Sequence, residues 1–461
     1  MGISYLGLFA VSLLAARLAN ANSLELHFRL KKVDIYLLCF LFLVFIKTAV
    51  EHPDNSRLFA YSLGSDSGIL FYLLVGLLLG LNPLYSSNNL SANIYIYGKR
   101  SAFNSFINVA NIVPSIAIIL SSLYWTYQEF IFFISSLRID LFLVDTQVLG
   151  QDPPYQRMGD YIAVKLIAVI LAVVSATFSH IESKKISIAY NLTLLFDLLL
   201  TFCALLACIF SFLTSLAIGS NKAALLSIFS LTLIVYACAA RHCFRALLIS
   251  NHITLLLDAC LLFKPLKFVK YILVTAAFAA PVISLFAVFS IDQFFKQTRL
   301  TAFGDESGAL GARIDILLNN TIAQFDVAPL VGNMYADGLS TGPGTYVHSL
   351  PVFLLTHTGL LGLLLFYIFM LGYLRLISNS LICIYRNISK SLKSHYKQMR
   401  YIVQLIYGQI GLFILIIALS LAIVGTSLFW GFLWFTIGIT FGISRFQSDF
   451  LKVAFQGGSI S

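Results

Sequence analysis

Residues 33–50 read VDIYLLCFLFLVFIKTAV, with one acid, Asp34, near the start and one cation, Lys47, near the end. Coiled as a helix at about 1.5 Å per residue, this run reaches most of the way across a hydrocarbon core about 30 Å thick, which takes roughly 20 mostly apolar residues to span. Comparable runs recur at about 2–18, 67–87, 104–124, 160–180, 188–210, 222–240, 269–290, 350–374, 403–424 and 427–444. The pattern predicts an all-α, polytopic transmembrane helical bundle of about 11 spans. Composition points the same way. The 461 residues are 59% hydrophobic and 11% charged, against about 45–50% apolar and about 25% charged in a soluble domain. With 40 Phe and 22 Tyr beside only 20 acidic residues, a disordered or nucleic-acid-binding tail protein is excluded.

The net charge of +10 then reports topology. Cytoplasmic loops of membrane proteins are enriched in Lys and Arg. With the N-terminus outside and the C-terminus inside, only Lys47, Arg57, Arg138, Arg157, Lys165, Lys222, Lys296, Arg299 and Arg313 fall on the outer side or outer span ends. The other 21 of the 30 basic residues fall inside, and the opposite orientation would reverse that ratio. No nucleic-acid partner is needed to explain the charge; the partner it implies is the lipid bilayer. The first span has no basic segment ahead of it and carries Arg17 at its far end, so no cleaved signal peptide is expected. All seven cysteines fall in spans or inner loops, where no disulfide framework is expected, and none has zinc spacing.

The chain therefore divides into residues 1–290, with eight spans and an outer loop at 125–159; residues 291–349, a large outer loop; and residues 350–461, with three spans and an inner tail. In the first loop the run Phe130–Val144 is too short and too charged to span, which suggests an interfacial or re-entrant helix ending at Gln151-Asp152-Pro153-Pro154-Tyr155-Gln156-Arg157. A short outer turn is expected at 216–222. The large loop is broken by Gly304, Gly308 and Gly311 early and by Gly332, Gly338, Gly342 and Gly344 late. Between them Ile314, Leu317, Leu318, Ile322 and Phe325 keep helical spacing, as in an amphipathic helix on the membrane surface. Long structured loops of this kind are usually functional.

Hydrolase elbows, zinc-protease motifs, phosphate-binding glycine loops and paired acids one residue apart are all absent from the sequence. Phosphate chemistry here would rest on Arg and Lys, with no metal and no cofactor. The outer loops supply Arg157, Lys222, Arg299 and Arg313, and His348 stands just before the ninth span. Fixed cations stabilise the charge that develops on a pyrophosphate leaving group, and His suits the base that activates a hydroxyl acceptor. Each has a bland reading beside it. Arg157 and Lys222 sit at span ends where snorkelling anchors are common, Arg313 could be a surface charge, and His348 an interfacial cap. Asp197 and Asp258 lie deepest in apolar sequence, where acids are functional by default. His357, Lys47 and Lys165 stand equally open.

From Tyr346 the chain reads Tyr-Val-His-Ser-Leu-Pro-Val-Phe-Leu-Leu-Thr-His-Thr-Gly-Leu-Leu-Gly, ending at Gly362. This resembles the signature of the bacterial O-antigen polymerase and O-antigen ligase superfamily: a His-Asn pair, an acid nine positions after the His, and a G-x-x-G beginning eleven after it. His348, Gly359 and Gly362 fall in register; Ser349 replaces the Asn and His357 takes the place of the acid. Ala312-Arg313 with Pro329 and Gly332 is similar to the Ser-Gly-Arg … Pro-Leu-x-Gly stretch ahead of that His. Gly219-Ser220-Asn221-Lys222-Ala223-Ala224-Leu225 is similar to the family's Ser-Arg-Gly-Ala segment. The resemblance touches roughly the second half of the chain.

The resemblance implies a metal-independent, inverting glycosyltransferase of the bacterial inner membrane with its active site facing the periplasm. Its donor and acceptor would be glycans on undecaprenyl pyrophosphate, with His348 as the catalytic base or acceptor-orienting group. Arg313 and Lys222 would contact pyrophosphate, with Arg157 and Arg299 as further basic contacts. It leaves room for a chain-length regulator as partner. Polymerase is the first reading. Ligase, moving the finished polymer to lipid A-core, is second, because the ligase form of the motif favours the missing Asn and acid. A lipid-linked oligosaccharide flippase or other transporter is the alternative of another class; internal repeats and short loops would mark it, and Asp197 is the main residue in its favour.

Overall fold

The computed structural model describes residues 31–51, 62–63, 68–80, 115–131, 154–179, 189–217, 221–250, 328–334, 349–390, 395–425 and 431–456. Among these residues there are helices and one turn segment and no strand. The helices are α1 (Lys32–Glu51), α2 (Ile69–Gly80), α3 (115–131), α4 (Pro154–Ser179), α5 (Ala189–Ala217), α6 (Asn221–Ser250), α7 (Leu350–Lys390), α8 (His395–Gly425) and α9 (Gly431–Gln456). Four stretches are long and apolar enough to cross a membrane: Lys32–Glu51, Leu198–Ser215, Leu350–Asn387 and Gln404–Ala422. The chain is a helical membrane protein. The expected spans at 2–18 and 269–290, like Pro114, Asp258 and the amphipathic run after Arg313, lie outside the described residues.

Three expected boundaries move. Pro154-Tyr155-Gln156-Arg157 forms the first turn of α4 instead of the end of a loop, since proline lacks only an N–H that the first turn leaves unpaired anyway. Phe130 and Ile131 belong to α3, and the rest of the run to Val144 lies outside the described residues. The ninth span extends to Lys390 rather than 374; at about 1.5 Å per residue its 41 residues reach well beyond a bilayer. Asp34, the acid at the head of the opening run, accepts the backbone N–H of Lys31 at 2.6 Å, the N3-to-Ncap half of a capping box.

α7 is the hub, packing on α1, α8 and α9. Phe40 of α1 meets Phe366 of α7 edge-on at 5.4 Å, and Trp434 of α9 lies 6.3 Å from the first ring and 6.5 Å from the second. The contacts also set directions. Val33 lies beside Gly372, near the opposite end of α1 from Lys47, so α1 runs antiparallel to α7. Phe366 with Trp434 and Tyr373 with Phe441 make α7 and α9 parallel. Phe229 with Phe413 and Tyr236 with Gln409 make α8 antiparallel to α6, and α8 and α9, joined by residues 426–430 and packed against each other with Gly411 facing Thr440 and Ile443, form an antiparallel hairpin. Helices α5 and α6 are joined by residues 218–220 and packed against each other as a hairpin. α1 and α5 therefore end, and α6, α7 and α9 begin, on one face of the bundle, called the upper face below.

One close helix crossing among the described residues is made by glycine. A Cβ on Gly76 of α2 would lie 2.2 Å from the Phe435 carbonyl oxygen of α9, and one on Gly438 would lie 2.2 Å from the Leu73 carbonyl oxygen. Backbone thus meets backbone, the arrangement small residues allow between membrane helices. Gly76→Leu is expected to force the two helices apart at a cost of about 1–3 kcal/mol. Thermal unfolding in detergent should show a lower midpoint, and an unchanged midpoint would contradict the crossing.

Candidate functional site

The Gly359-x-x-Gly362 part of the motif that begins at Tyr346 sits where α7 is broken. Gly359 has φ +65° and ψ −170° inside the helix, a region essentially restricted to glycine. A break leaves backbone groups without helical partners, and in an apolar surround water cannot supply them. The turn 328–334 does. Leu360 N–H donates to the Pro329 carbonyl and Leu361 N–H to the Leu330 carbonyl, both at 3.0 Å, while the Thr356 carbonyl accepts Asn333 N–H at 2.8 Å. Gly332, at φ +68°, presses against the break. A Cβ there would lie 2.4 Å from Gly359 N, and one on Gly359 would lie 2.4 Å from the Leu330 carbonyl oxygen. Neither position accepts a side chain.

The upper end of α1 locks this joint. Lys47 Nζ donates to the Gly332 carbonyl at 2.9 Å and to Glu51 Oε1 at 2.5 Å. The other Glu51 oxygen accepts Met334 N–H at 2.5 Å. One i,i+4 ion pair therefore holds both sides of the turn: the cation takes its carbonyl and the anion takes its amide. Lys47 is buried, and the Glu51 side chain is about one quarter exposed (27%).

Under the joint lies His357, buried and stacked on Phe353 with ring centroids 3.6 Å apart and planes 6° from parallel. Its Nδ1 is 3.1 Å from the Phe353 carbonyl and 2.9 Å from the Thr356 hydroxyl. A carbonyl only accepts, so its bond requires the proton on Nδ1. Thr358 donates to the Leu354 carbonyl at 2.7 Å and fills the space over Gly362. The buried ring of His357 packs as an apolar body with one polar edge satisfied by its own helix.

The structure brings together Pro329 and Gly332 with His357, Gly359 and Gly362. It adds Lys47, left open by the sequence, and Glu51, which sequence reasoning missed. The signal for Glu51 was a Lys–Glu pair four residues apart at the end of a span. Lys222 lies in the first turn of α6, on the upper face, and Arg157 in the first turn of α4. His348, Arg299 and Arg313 lie outside the described residues. No protein-family model, no curated protein and no solved structure matches the chain.

Gly359→Ala should cost about 1–3 kcal/mol from positive φ alone and lower the thermal midpoint. Lys47→Met should destabilise more than the double variant Lys47→Met/Glu51→Gln, because the single change leaves a partly buried carboxylate uncompensated. Equal midpoints for Lys47→Met and the parent protein would show that the clamp contributes nothing.

Proposed function

We propose that the chain is a metal-independent glycan polymerase of the bacterial inner membrane, joining undecaprenyl-pyrophosphate-linked oligosaccharide repeat units on the periplasmic face as O-antigen polymerases do. The observation that carries this reading is the joint. Two sequence pieces that resemble the superfamily, Pro329…Gly332 and His357…Gly362, meet through two backbone hydrogen bonds and a glycine–glycine contact, with a third bond from Asn333 to Thr356 at their edge.

The helix directions support the 11-span, N-out scheme. α6 and α7 run the same way, and the sequence between them carries one spanning run, at 269–290, to return the chain. The upper face is then periplasmic. Position gives the roles. Ser349, whose carbonyl accepts Phe353 N–H at 2.8 Å, caps α7, so His348 stands in sequence two residues before Leu350, the start of the helix that the joint braces. It serves as the base that takes the acceptor hydroxyl proton. Arg313 and Lys222 contact the pyrophosphate, with Arg157 and Arg299 as further cations; Arg offers a bidentate fork and Lys a point charge.

Deleting the gene tests the reading. Loss of a polymerase leaves single repeats on lipid A-core, loss of a ligase leaves the core bare, and loss of a flippase leaves repeats inside the cell. His348→Ala should insert normally and lose polymerisation by about 10²–10⁴-fold; near-normal chain lengths would remove His348 from the mechanism. Arg313→Ala should reduce turnover more than Arg313→Lys, and parental activity in both would place the pyrophosphate clamp elsewhere.

A further inference from the structure

At the lower end of the bundle, opposite the joint, the helices do not finish at one level. α1 is entered through Lys31-Lys32-Val33-Asp34, and its next charge is Lys47, so its start marks the lower edge of the apolar core. Val33 lies beside Gly372, which carries that level onto α7. Val33 to Lys47 on α1 and Gly372 to Gly359 on α7 are stretches of nearly equal length between the same two levels, so the two axes are close to aligned. α7 nevertheless continues to Lys390, is joined by residues 391–394 to α8, and packs against it. At about 1.5 Å per residue this hairpin reaches about 27 Å below Gly372, against about 5–8 Å for a headgroup layer.

Over this length α7 has two faces. Tyr373, Ile377, Leu381 and Ile384 are buried, at the spacing of a packed helical ridge. Arg375, Asn379, Ile382 and Arg386 are exposed and follow one another at steps of four, three and four residues, which puts them on one face; Tyr385 is exposed beside them. Ile382 (49% exposed) and Tyr385 (44%) lie about 15 and 20 Å below Gly372, past the depth at which lipid would cover them.

We propose that this face of α7 docks an acidic, partly apolar segment of a cytoplasmic protein. Only the side of the membrane is taken from the N-out scheme above; the polymerase chemistry is not used. Charge names the partner. No Asp or Glu occurs between Leu350 and Gly425, while Lys390, Lys397 and Arg400 continue the positive series along the hairpin. The chain's other inner segments do not neutralise it. Against the 21 inner cations they hold Glu25, Glu182, Asp258 and Asp449, and Asp34 is committed to its own helix end. Complementary anions therefore come from outside the chain. Lipid phosphates lie at the level of Arg375 and fall short of Arg386, about 21 Å below Gly372. The preference of cytoplasmic segments for cations accounts for the arginines, but not for two large apolar side chains held out among them. A protein segment meets both needs. Its carboxylates pair bidentately with the guanidinium groups, and its apolar side chains cover Ile382 and Tyr385. Tyr and Arg are also the residue types that dominate binding energy at protein surfaces.

The test replaces Asn379 with the photoreactive residue benzoylphenylalanine in the full chain in cells. Illumination should give a protein adduct whose crosslinked peptide, located by mass spectrometry, lies in a segment with more Asp and Glu than Lys and Arg. Arg375→Gln/Arg386→Gln in the same chain should lower the adduct yield about fivefold or more, and so should Ile382→Ser/Tyr385→Ser, which keeps the charges. The four side chains are exposed, so both variants should reach the membrane at parental levels, and either one serves should the other fail to accumulate. The same photoreactive residue in place of Leu364, exposed on α7 above Gly372, should give lipid adducts alone. The proposal is overturned by no adduct at 379, by lipid adducts alone there, by an adduct to nucleic acid or to this chain itself, by a crosslinked segment without acidic excess, or by yields that neither variant changes. An adduct to a protein on the opposite side of the membrane overturns the N-out scheme with it.

Discussion

A helix cannot be broken among apolar surroundings unless protein supplies the hydrogen bonds that the break removes. The break at Gly359 falls near the upper end of α7, the helix on which α1, α8 and α9 all pack. Water could satisfy Leu360 N–H, Leu361 N–H and the Thr356 carbonyl in a soluble protein. Here the turn at 328–334 satisfies them, and that turn is itself irregular backbone with the same need. Its Gly332 carbonyl and Met334 N–H go to Lys47 and Glu51. The chain of dependence ends on an ion pair four residues apart on α1, where the charges compensate each other and each also takes one backbone group. Buried ion pairs give little net stability when their remaining donors and acceptors go unmet; this one uses that capacity on the turn.

Glycine serves two distinct physical purposes in the bundle. At Gly76 and Gly438 the conformation is helical and only the missing side chain matters, because carbonyl oxygens of the facing helix occupy the space a Cβ would take. At Gly332 and Gly359 the missing side chain and the positive φ are both required. The first kind tolerates a change in helix spacing. The second does not, since any replacement strains its own backbone and also pushes on the hydrogen bonds that close the break. The joint is thus defined by backbone geometry, and its side chains brace it.

The spans were legible because bilayer thickness imposes a length on apolar runs, and α1, α5, α7 and α8 follow it. Boundaries were less legible, because helices continue past the lipid where composition turns mixed. α7 carries Arg375 and Arg386 within its helical length, and α3 runs through its Tyr-Trp-Thr-Tyr segment into Phe130. Pro154 read as a loop residue although the first turn of a helix accepts it. At the joint, the glycines at 332 and 359 were visible as motif positions. Their contact was not, and neither was the role of Lys47. A cation near a span end looks the same whether it snorkels to water or, as here, bonds a carbonyl 285 positions away.

That bond also limits what Lys47 can do. An ammonium has three N–H donors, and two are committed, to Gly332 and to Glu51. A phosphate approaching it would compete with the Glu51 carboxylate and would have to loosen the carbonyl that keeps the turn against Gly359. The cation nearest the joint is therefore suited to holding the backbone, and poorly suited to binding the anionic group of a substrate that must come and go with each turnover. On the polymerase reading, recognition of pyrophosphate falls to cations outside the clamp, which is the role given to Arg313 and Lys222. The clamp's contribution is indirect: it fixes the backbone at the break in α7, two turns into the helix, against the turn at 328–334.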